Sequence, residues 1–463
     1  MKESLTISKL FLIGIIAGSL SFSFQVLDPT LTPRCIAFSV FVVLALVILF
    51  RYKLKLNFEF DIVSSSYIAF TLFCLLSIFW CNTTSEAVFE SNKTVLALAT
   101  FLFTGFCLRH HSVFFTQTLL KFSVIIVFIG FSVAVYQSKN ISIFNKESLY
   151  AISSVNGHKN LFASFLFLNL FFLIHAVAEL KSFFRVLSWL ALLITTVVLI
   201  LIQTKAVWIG LIIAALIISV LYLSRKLNLK LNFYIALLVC LILANLFFAF
   251  AVPLGIQKGL SHNQTITNTS TPEEKAKELD NERLMLWLKT YDMISKHPVL
   301  GVGMGNWQIY FPDATLKGIW RAEDLNFTFQ RPHNDLLWIL SETGWIGFNL
   351  FLLFVLTVVL LLLKGIRSAD LPTQLKMMLC IAFISGFYVV SFFDFPKERV
   401  EHLIWCNIIL AFGYWHIRQQ KIISPFKIIA VSSSLKFILF VIAAFTLVIS
   451  VFRFKGEYYT VKM

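Results

Sequence analysis

The stretch that decides the fold is residues 336–363, LLWILSETGWIGFNLFLLFVLTVVLLLL, in which Glu342 is the only charged residue. A helix needs about 20 apolar residues to cross the hydrocarbon core of a bilayer, and this run is longer than that. Other long apolar runs along the chain favour membrane helices in the same way. The fourth and last runs are the weakest, so we expect twelve or thirteen spans. The predicted spans are 10–26, 34–50, 62–80, 88–107, 115–137, 160–177, 186–203, 207–223, 233–252, 336–363, 374–394, 402–417 and 435–452.

The composition is that of a membrane protein. Of the 463 residues, 58% are hydrophobic and 14% are charged, whereas soluble chains average about 45–50% and about 25%. A soluble domain could not bury so much apolar surface, which excludes a cytosolic enzyme. The seven cysteines form no CxxC pair, which indicates neither a disulfide scaffold nor a zinc site. We expect an all-α polytopic membrane protein with one long extracytoplasmic loop that contains amphipathic helices.

The charges indicate orientation rather than nucleic-acid binding, and we expect no nucleic-acid partner. The net charge of +15 comes from 39 Lys and Arg against 24 Asp and Glu. Lys and Arg are concentrated in every second short loop, starting with the N-terminus, and basic short loops lie in the cytoplasm. The N-terminus is therefore predicted to be cytoplasmic. The predicted regions are an N-terminal bundle of about nine helices over 1–252, an outer loop over 253–333 and C-terminal membrane helices over 334–463.

The outer loop contains a predicted amphipathic helix. Thr271-Pro272-Glu273-Glu274 is typical of a helix start, with an N-cap, a first-turn proline and a capping-box glutamate. Nothing breaks the helix before His297-Pro298, and one stripe carries Arg283, Trp287, Tyr291 and Ile294. Such a helix lies either against the outer leaflet or over the mouth of a cavity.

Alternating glycines follow this helix. Gly301, Gly303 and Gly305 stand in the turn from Pro298 to Asn306. Glycines in such a turn allow a nest of backbone N–H groups, which could hold an anion. A single glycine-rich turn is weak evidence for such a site by itself.

An ionisable side chain stands where the outer loop enters the tenth span, in Arg331-Pro332-His333-Asn334. His333, Gly344 and Gly347 are separated by 11 and 3 residues. On a helix they would point within about 60° of one another. Glycines let membrane helices approach closely, so His333 is predicted to lie on the packed inner face. An ionisable group at this depth is a functional candidate, and a structural histidine is the alternative.

Outward-facing cations form the second half of the predicted site. Lys205 stands in the shortest outer turn and Arg283 on the loop helix, while Lys397 and Arg399 follow Asp394-Phe395-Pro396. Each could instead reach lipid phosphates. Together they could converge on a pyrophosphate, for which Arg offers two parallel donors and Lys a point charge. The outer side carries no DxD-like motif, metal-ligand spacing or P-loop, so a reaction without metal, nucleotide or other cofactor is favoured.

These motifs resemble the bacterial O-antigen ligase and polymerase-like family. The resemblance is carried by Arg283-x-x-x-Trp287, by the segment from His297 to Gly305, and by His333-Asn334 followed nine residues later by Gly344-x-x-Gly347. The last spacing is typical of the ligase side. Residues 156–160, NGHKN, resemble the family's Gly- and Asn-containing start of a mid-chain helix. The resemblance covers residues 150–410 and is specific within 283–347.

The resemblance implies a glycosyltransferase of the bacterial inner membrane, with the long loop in the periplasm. Such an enzyme moves a glycan from undecaprenyl diphosphate to a hydroxyl of lipid A–core or another glycan acceptor and inverts the anomeric centre. His333 corresponds to the family's catalytic histidine and Arg283 to its loop arginine. The family usually has Ser-Arg-Gly where this chain has Thr204-Lys205-Ala206. The expected diphosphate- or glycan-binding residues are Arg283, Lys205, Arg331, Asn334 and Trp287, and the structural glycines are Gly301, Gly303, Gly344 and Gly347.

Other functions remain open at this point. An O-antigen or exopolysaccharide polymerase and a protein O-oligosaccharyltransferase would share the same chemistry. A polysaccharide transporter or flippase would need ionisable residues near the middle of the bilayer and often internal symmetry. The main candidates for such residues are His175, Glu342 and Asn169, and none has an obvious partner in the sequence.

Overall fold

A computed structural model describes residues 2–52, 57–139, 148–224, 233–257, 272–313 and 328–463. These residues form a bundle of long helices. The first eight helices are α1 Lys2–Leu20, α2 Leu31–Arg51, α3 Ile62–Leu76, α4 Thr84–Ser138, α5 Lys159–Glu179, α6 Ser182–Ile202, α7 Lys205–Ser224 and α8 Phe233–Gln257. The others are α9 Pro272–Lys296, the single turn α10 Trp307–Tyr310, α11 Asp335–Ile366, α12 Leu371–Phe393, α13 Val400–Gln419 and α14 Ser433–Lys462.

The prediction of an all-α polytopic membrane protein is confirmed. Within the described ranges, 11 helices are long and apolar enough to cross a membrane. The predicted runs 88–107 and 115–137 share the 55-residue helix α4, whose only non-helical residue is His111 (φ −145°, ψ 47°). A straight helix of this length would measure about 80 Å, far more than a hydrocarbon core of about 30 Å, so the two runs correspond to the two arms of α4. The run 402–417 lies on α13, which is not among the 11.

A two-stranded antiparallel sheet was not predicted. Strand β1, Asn57–Phe60, pairs with β2, Lys427–Ala430, in a register that places Asn57 opposite Ala430. Each strand has only four residues and its partner lies far away in the sequence. No local periodicity could therefore have indicated the pairing.

Several connections meet at one end of the bundle, which we call the loop end and define as residues 21–30, 153–158, 298–313 and 394–399. The buried guanidinium of Arg34 donates through Nε to the carbonyl of Ser21 at 3.2 Å and also bonds the carbonyl of Val155. The Arg399 guanidinium donates to both carboxylate oxygens of Asp28, at 2.8 and 2.7 Å. These contacts join the connections that follow α1, precede α5 and precede α13.

The amphipathic loop helix is confirmed as α9, and it packs on the bundle. Its buried face includes Leu286, Trp287 and Ile294. The Tyr291 hydroxyl donates to the carbonyl of Ala249 on α8 at 2.9 Å. The helix therefore packs on the bundle through its apolar face. The predicted N-cap Thr271 lies outside the described residues, and the helix is described from Pro272.

Candidate active site

A break in α11 defines the architecture of the site. The helix is interrupted at Gly344 (φ 59°, ψ −171°), and the turn Pro298–Asn306 enters the break. A Cβ added at Gly301 would lie 2.6 Å from the Gly344 nitrogen, so this approach requires glycine. The backbone bonds across the break are Val302 N to Ser341 O at 3.0 Å, Gly303 N to Glu342 O at 2.9 Å and Trp345 N to Pro298 O at 2.8 Å.

The glycine turn does not leave a nest for an external anion. Gly301, Gly303 and Gly305 have the expected positive φ of 70°, 90° and 68°. However, the Gly301 N–H donates to the His297 carbonyl at 3.1 Å, and the Gly303 N–H donates across the break. The Trp307 N–H donates to Oε1 of buried Glu342 at 3.3 Å, and the Gly305 N–H also bonds this carboxylate. The carboxyl group of the protein's own Glu342 therefore occupies this turn.

His333 lies just before α11, not on it. Its backbone is left-handed, with φ 54°. Asn334 is the N-cap, and its Oδ1 accepts from the N–H groups of Leu336 and Leu337, both at 3.0 Å. The expectation that His333 shares a helical face with Gly344 and Gly347 is wrong, because the left-handed residue and the break interrupt the helical register.

The strained backbone at His333 is held by its neighbours. A left-handed conformation costs a non-glycine residue about 1 kcal/mol or more. The indole N–H of buried Trp287 donates to the Pro332 carbonyl at 2.9 Å, immediately before His333. On the other side, the Asn334 cap fixes the start of α11. Trp287 and Asn334, both predicted to bind substrate, thus have positioning contacts around His333.

Three polar side chains meet at the ring of Phe395. The His333 imidazole lies 4.6 Å from this ring between centroids and nearly perpendicular to it, at 83°. The His158 imidazole lies 6.4 Å from the same ring, and the Arg331 guanidinium lies 5.4 Å from its centroid. Phe395 is buried, so it acts as a spacer that fixes these groups relative to one another.

Most of the predicted cations are matched by carboxylates. Arg331 forms an ion pair with buried Glu398, as Arg399 does with Asp28. Lys397 donates through its backbone N–H to Asp335 Oδ2 at 2.8 Å. Its ammonium lies 3.7 Å from Glu342 Oε2 and 3.9 Å from the ring centroid of Trp338. Lys397 and Arg399 therefore stabilise the loop end itself.

Arg283 and Lys205 lie near one corner of the site, which is formed by His158, Asn160 and Asp394. Arg283 is partly exposed and acts electrostatically on His158 and on buried Asp394. Asp394 also bonds Asn160, whose Oδ1 accepts from the Thr204 hydroxyl at 3.3 Å. Lys205 follows Thr204 and is exposed at the start of α7. The structure thus brings Arg283, His158 and Asp394 together and places Lys205 beside them.

Burial and charge set the protonation of this corner. Burial lowers the pKa of His158 to about 4, and Lys159, Arg399 and Arg283 lower it further in the same direction. Burial raises the pKa of Asp394 to about 6, although Arg283 acts in the opposite sense. Burial would also raise the pKa of Asp28, but Arg399 holds it well below its usual range. At neutral pH His158 is therefore neutral, and both carboxyls are ionised.

A cavity of about 80 Å³ lies within the bundle next to the site. Its walls are mostly apolar side chains of α3, α11, α12 and α13. Its polar part carries Glu90, Lys93, Asp335 and Lys397, with Lys93 Nζ 2.5 Å from Glu90 Oε1. In the part of the chain that the structure describes, no group of three or more His, Cys, Asp or Glu side chains could hold a metal ion.

No functional role was predicted for His158, Phe395 and Glu398. His158 stands in the segment 156–160, just before a predicted span. Phe395 lies two residues before Lys397, and Glu398 lies between Lys397 and Arg399. Their position at the ends of spans was the available signal, because groups at span ends can meet in space. Their partners lie far away in the chain, and no spacing could indicate them.

Part of the chain that carries this site is similar to a known family. Residues 190–352 match the model of the O-antigen ligase family. The match covers about a third of the chain and confirms the predicted resemblance. A search of curated proteins found no match. The matched range contains Lys205, Arg283, Trp287, Gly301, Gly303, Arg331, His333, Asn334, Gly344 and Gly347, whereas His158 and Phe395 lie outside it.

Proposed function

We propose that the protein is an O-antigen ligase, because residues 190–352 match the model of the O-antigen ligase family. It moves a glycan from undecaprenyl diphosphate to a sugar hydroxyl of lipid A–core at the periplasmic face of the inner membrane, without metal or nucleotide. The observation that carries this proposal is the position of His333. It is partly exposed, held in a strained backbone and fixed against Phe395 beside Arg331.

His333 acts as the general base. A sugar hydroxyl is a weak nucleophile, and a neutral imidazole accepts its proton as the new bond forms. The acceptor oxygen attacks the anomeric carbon while the bond from that carbon to the diphosphate oxygen breaks. Attack from the side opposite the leaving diphosphate inverts the anomeric centre. The fixed backbone on both sides of His333 supports this role, because positioning supplies much of the rate in such reactions.

The cations stabilise the leaving group. Negative charge develops on the diphosphate as its bond to the sugar breaks, and positioned cations lower the energy of that state. Arg283 is the strongest candidate, because it is partly exposed and acts on His158 at the edge of the site. Lys205 adds a second charge from the start of α7. Arg331 adds positive charge next to His333, with its own charge partly balanced by Glu398.

Deletion of the gene separates the ligase from its nearest alternative. Loss of a ligase leaves bare lipid A–core while polymer accumulates on the lipid carrier. Loss of a polymerase leaves core capped with a single repeat unit. Cores that still carry full-length polymer after the deletion would contradict both functions.

Complementation then tests the base. We expect His333→Ala to restore no transfer, although the protein reaches the membrane in normal amount. His110→Ala is the matched control, because His110 is an exposed histidine outside the site. Transfer by His333→Ala at the wild-type level would remove His333 from the role of base.

A further inference from the structure

We infer that His158 is a second substrate-contacting histidine, which donates a hydrogen bond through Nε2–H to the diphosphate of the donor while His333 receives the proton of the acceptor. This inference rests on the proposed function. Of the two imidazoles beside Phe395, His158 would bind the donor and His333 would activate the acceptor. His158 lies outside the range matched to the family, and the contacts of its side chain carry the assignment.

The position of His158 is the first argument. It immediately precedes α5 and is partly exposed. Its ring lies 6.4 Å from the Phe395 ring, which His333 contacts at 4.6 Å. The two imidazoles therefore lie near the same buried phenyl group at the loop end.

The hydrogen bonding of the ring determines which nitrogen carries the proton. The backbone N–H of Asn160 lies 3.2 Å from His158 Nδ1. A backbone N–H can only donate, so Nδ1 must be the acceptor. In a neutral imidazole the remaining nitrogen, Nε2, then carries the hydrogen. His158 is thus arranged as a hydrogen-bond donor, and its basic nitrogen is engaged by the backbone.

The charges around His158 favour an anionic partner. Among the described residues, the charged groups Arg283, Arg399 and Lys159 act on it, and all three are cations. Asp28 balances Arg399. Arg283 is partly exposed and acts electrostatically on the carboxyl group of Asp394. A neutral donor beside a cation can bind a phosphate oxygen without adding repulsion to the site. A diphosphate matches this combination of Arg283 and His158.

The turn that carries His158 is fixed in place. Arg34, which bonds the Val155 carbonyl, forms an ion pair with Glu401, and both side chains are fully buried. The Asn156 amide donates to Glu401 Oε1 at 3.1 Å. Gly157 then takes a positive φ of 75° immediately before His158. This buried pair holds the imidazole in position before substrate arrives, which reduces the cost of binding.

Two substitutions separate ligand contact from helix capping. His158→Asn keeps a side-chain oxygen that can accept from Asn160 N–H, because Asn is a good N-cap, but it removes the imidazole. His158→Asp also keeps the cap and adds a negative charge that repels phosphate. A purely structural His158 would tolerate both changes.

The experiment titrates farnesyl diphosphate, a short prenyl diphosphate, into the full-length protein in lipid nanodiscs and measures binding by calorimetry. We expect His158→Asn to weaken binding by about tenfold, since a hydrogen bond to a charged group is lost, and His158→Asp to weaken it further. His110→Ala should bind as the wild type does. His333→Ala should bind within about twofold of wild type while blocking transfer.

The outcomes distinguish this inference from the proposed function. Wild-type affinity in both His158 variants would overturn the inference and leave the ligase proposal intact. Failure of the wild-type protein to bind farnesyl diphosphate would contradict both the prenyl diphosphate donor of the proposed function and the role of His158. In steady-state transfer assays the His158 variants should raise KM for the donor more than they lower kcat. An effect on kcat alone would also contradict the inference.

Discussion

The indole N–H of Trp287 donates a hydrogen bond to the carbonyl oxygen of Pro332, 2.9 Å away. This bond joins α9 to the residue that precedes His333. Trp287 also packs its ring against Phe392 at the end of α12, with centroids 5.5 Å apart. One side chain thus links α9, α12 and the segment that leads into the left-handed His333.

Removing only this hydrogen bond should impair transfer. Trp287→Phe retains much of the ring contact with Phe392 and loses the N–H donor, at a cost of about 1 kcal/mol. We expect transfer to fall by about fivefold or more, because His333 is no longer held in its reactive position. Trp189→Phe is the matched control, since Trp189 is exposed on α6. Equal transfer by Trp287→Phe and Trp189→Phe, measured at equal protein level, would contradict the positioning role.

The broken helix α11 should be intolerant of a methyl group. A Cβ at Gly344 would lie 2.6 Å from the Gly301 nitrogen, and the positive φ of 59° adds strain. We expect Gly344→Ala to destabilise the protein by about 2 kcal/mol or more and to lower the midpoint of thermal unfolding. Gly105→Ala is the control, because a Cβ at Gly105 in α4 would meet nothing within 4 Å. Its midpoint should stay the same or rise, since alanine favours helix. A Gly344→Ala midpoint equal to wild type would contradict the tight crossing.

Two neighbours of Arg283 should give opposite pH dependences of stability. The pKa of Asp394 is raised to about 6 in the folded protein by burial. Between about pH 4 and 6 the folded form thus binds more protons at Asp394 than the unfolded chain, and this group makes the protein less stable as the pH rises. The pKa of His158 is lowered to about 4 by burial and nearby cations. In the same range the folded form binds fewer protons at His158, so this group makes the protein more stable as the pH rises.

Substitutions should therefore change the pH profile in opposite senses. Asp394→Asn removes the group that makes the protein less stable as the pH rises, so we expect stability to increase more steeply from pH 4 to 6 than in wild type. His158→Asn removes the group that makes the protein more stable as the pH rises, so the increase in stability from pH 4 to 6 should become smaller or reverse. Thermal unfolding in nanodiscs at closely spaced pH values measures both. Profiles that run parallel to wild type in both variants would show that neither group has a shifted pKa in the folded protein.

Much of the fold could be predicted because membrane helices are local features. Each span, and the amphipathic α9, follows from apolar length or periodicity within a single stretch. The continuity of α4 and the sheet of β1 with β2 were not predicted, because a continuous helix through His111 and a long-range strand pairing leave no local pattern. The wrong helical face of His333 has the same cause. A single left-handed residue shifts the register, and the sequence shows His333 as an ordinary histidine.

In the candidate site, too, the residues within local motifs could be predicted, and those brought in by tertiary packing could not. The motif spacing indicated His333, Arg283 and the glycines, since each lies in one segment with its motif. That Gly301 meets Gly344, and that Glu342 occupies the glycine turn, depends on two segments packing together. His158 and Phe395 reach the site only through tertiary contacts. Groups that are distant in sequence therefore needed the structure to identify them.

Lys205 provides the last test, since it departs from the arginine usual in the family. It is exposed at the start of α7, one residue after Thr204. The Thr204 hydroxyl donates to Asn160, which also bonds Asp394. If Lys205 binds the donor diphosphate, Lys205→Ala should raise KM for the donor by about tenfold, because a charge-assisted contact is lost. Lys205→Arg should retain or improve affinity, since guanidinium adds a second parallel donor. Lys181→Ala is the control, because Lys181 is an exposed lysine at the opposite end of α6. An unchanged KM in Lys205→Ala would instead support contact with lipid phosphates and would leave Arg283 as the principal cation for the leaving group.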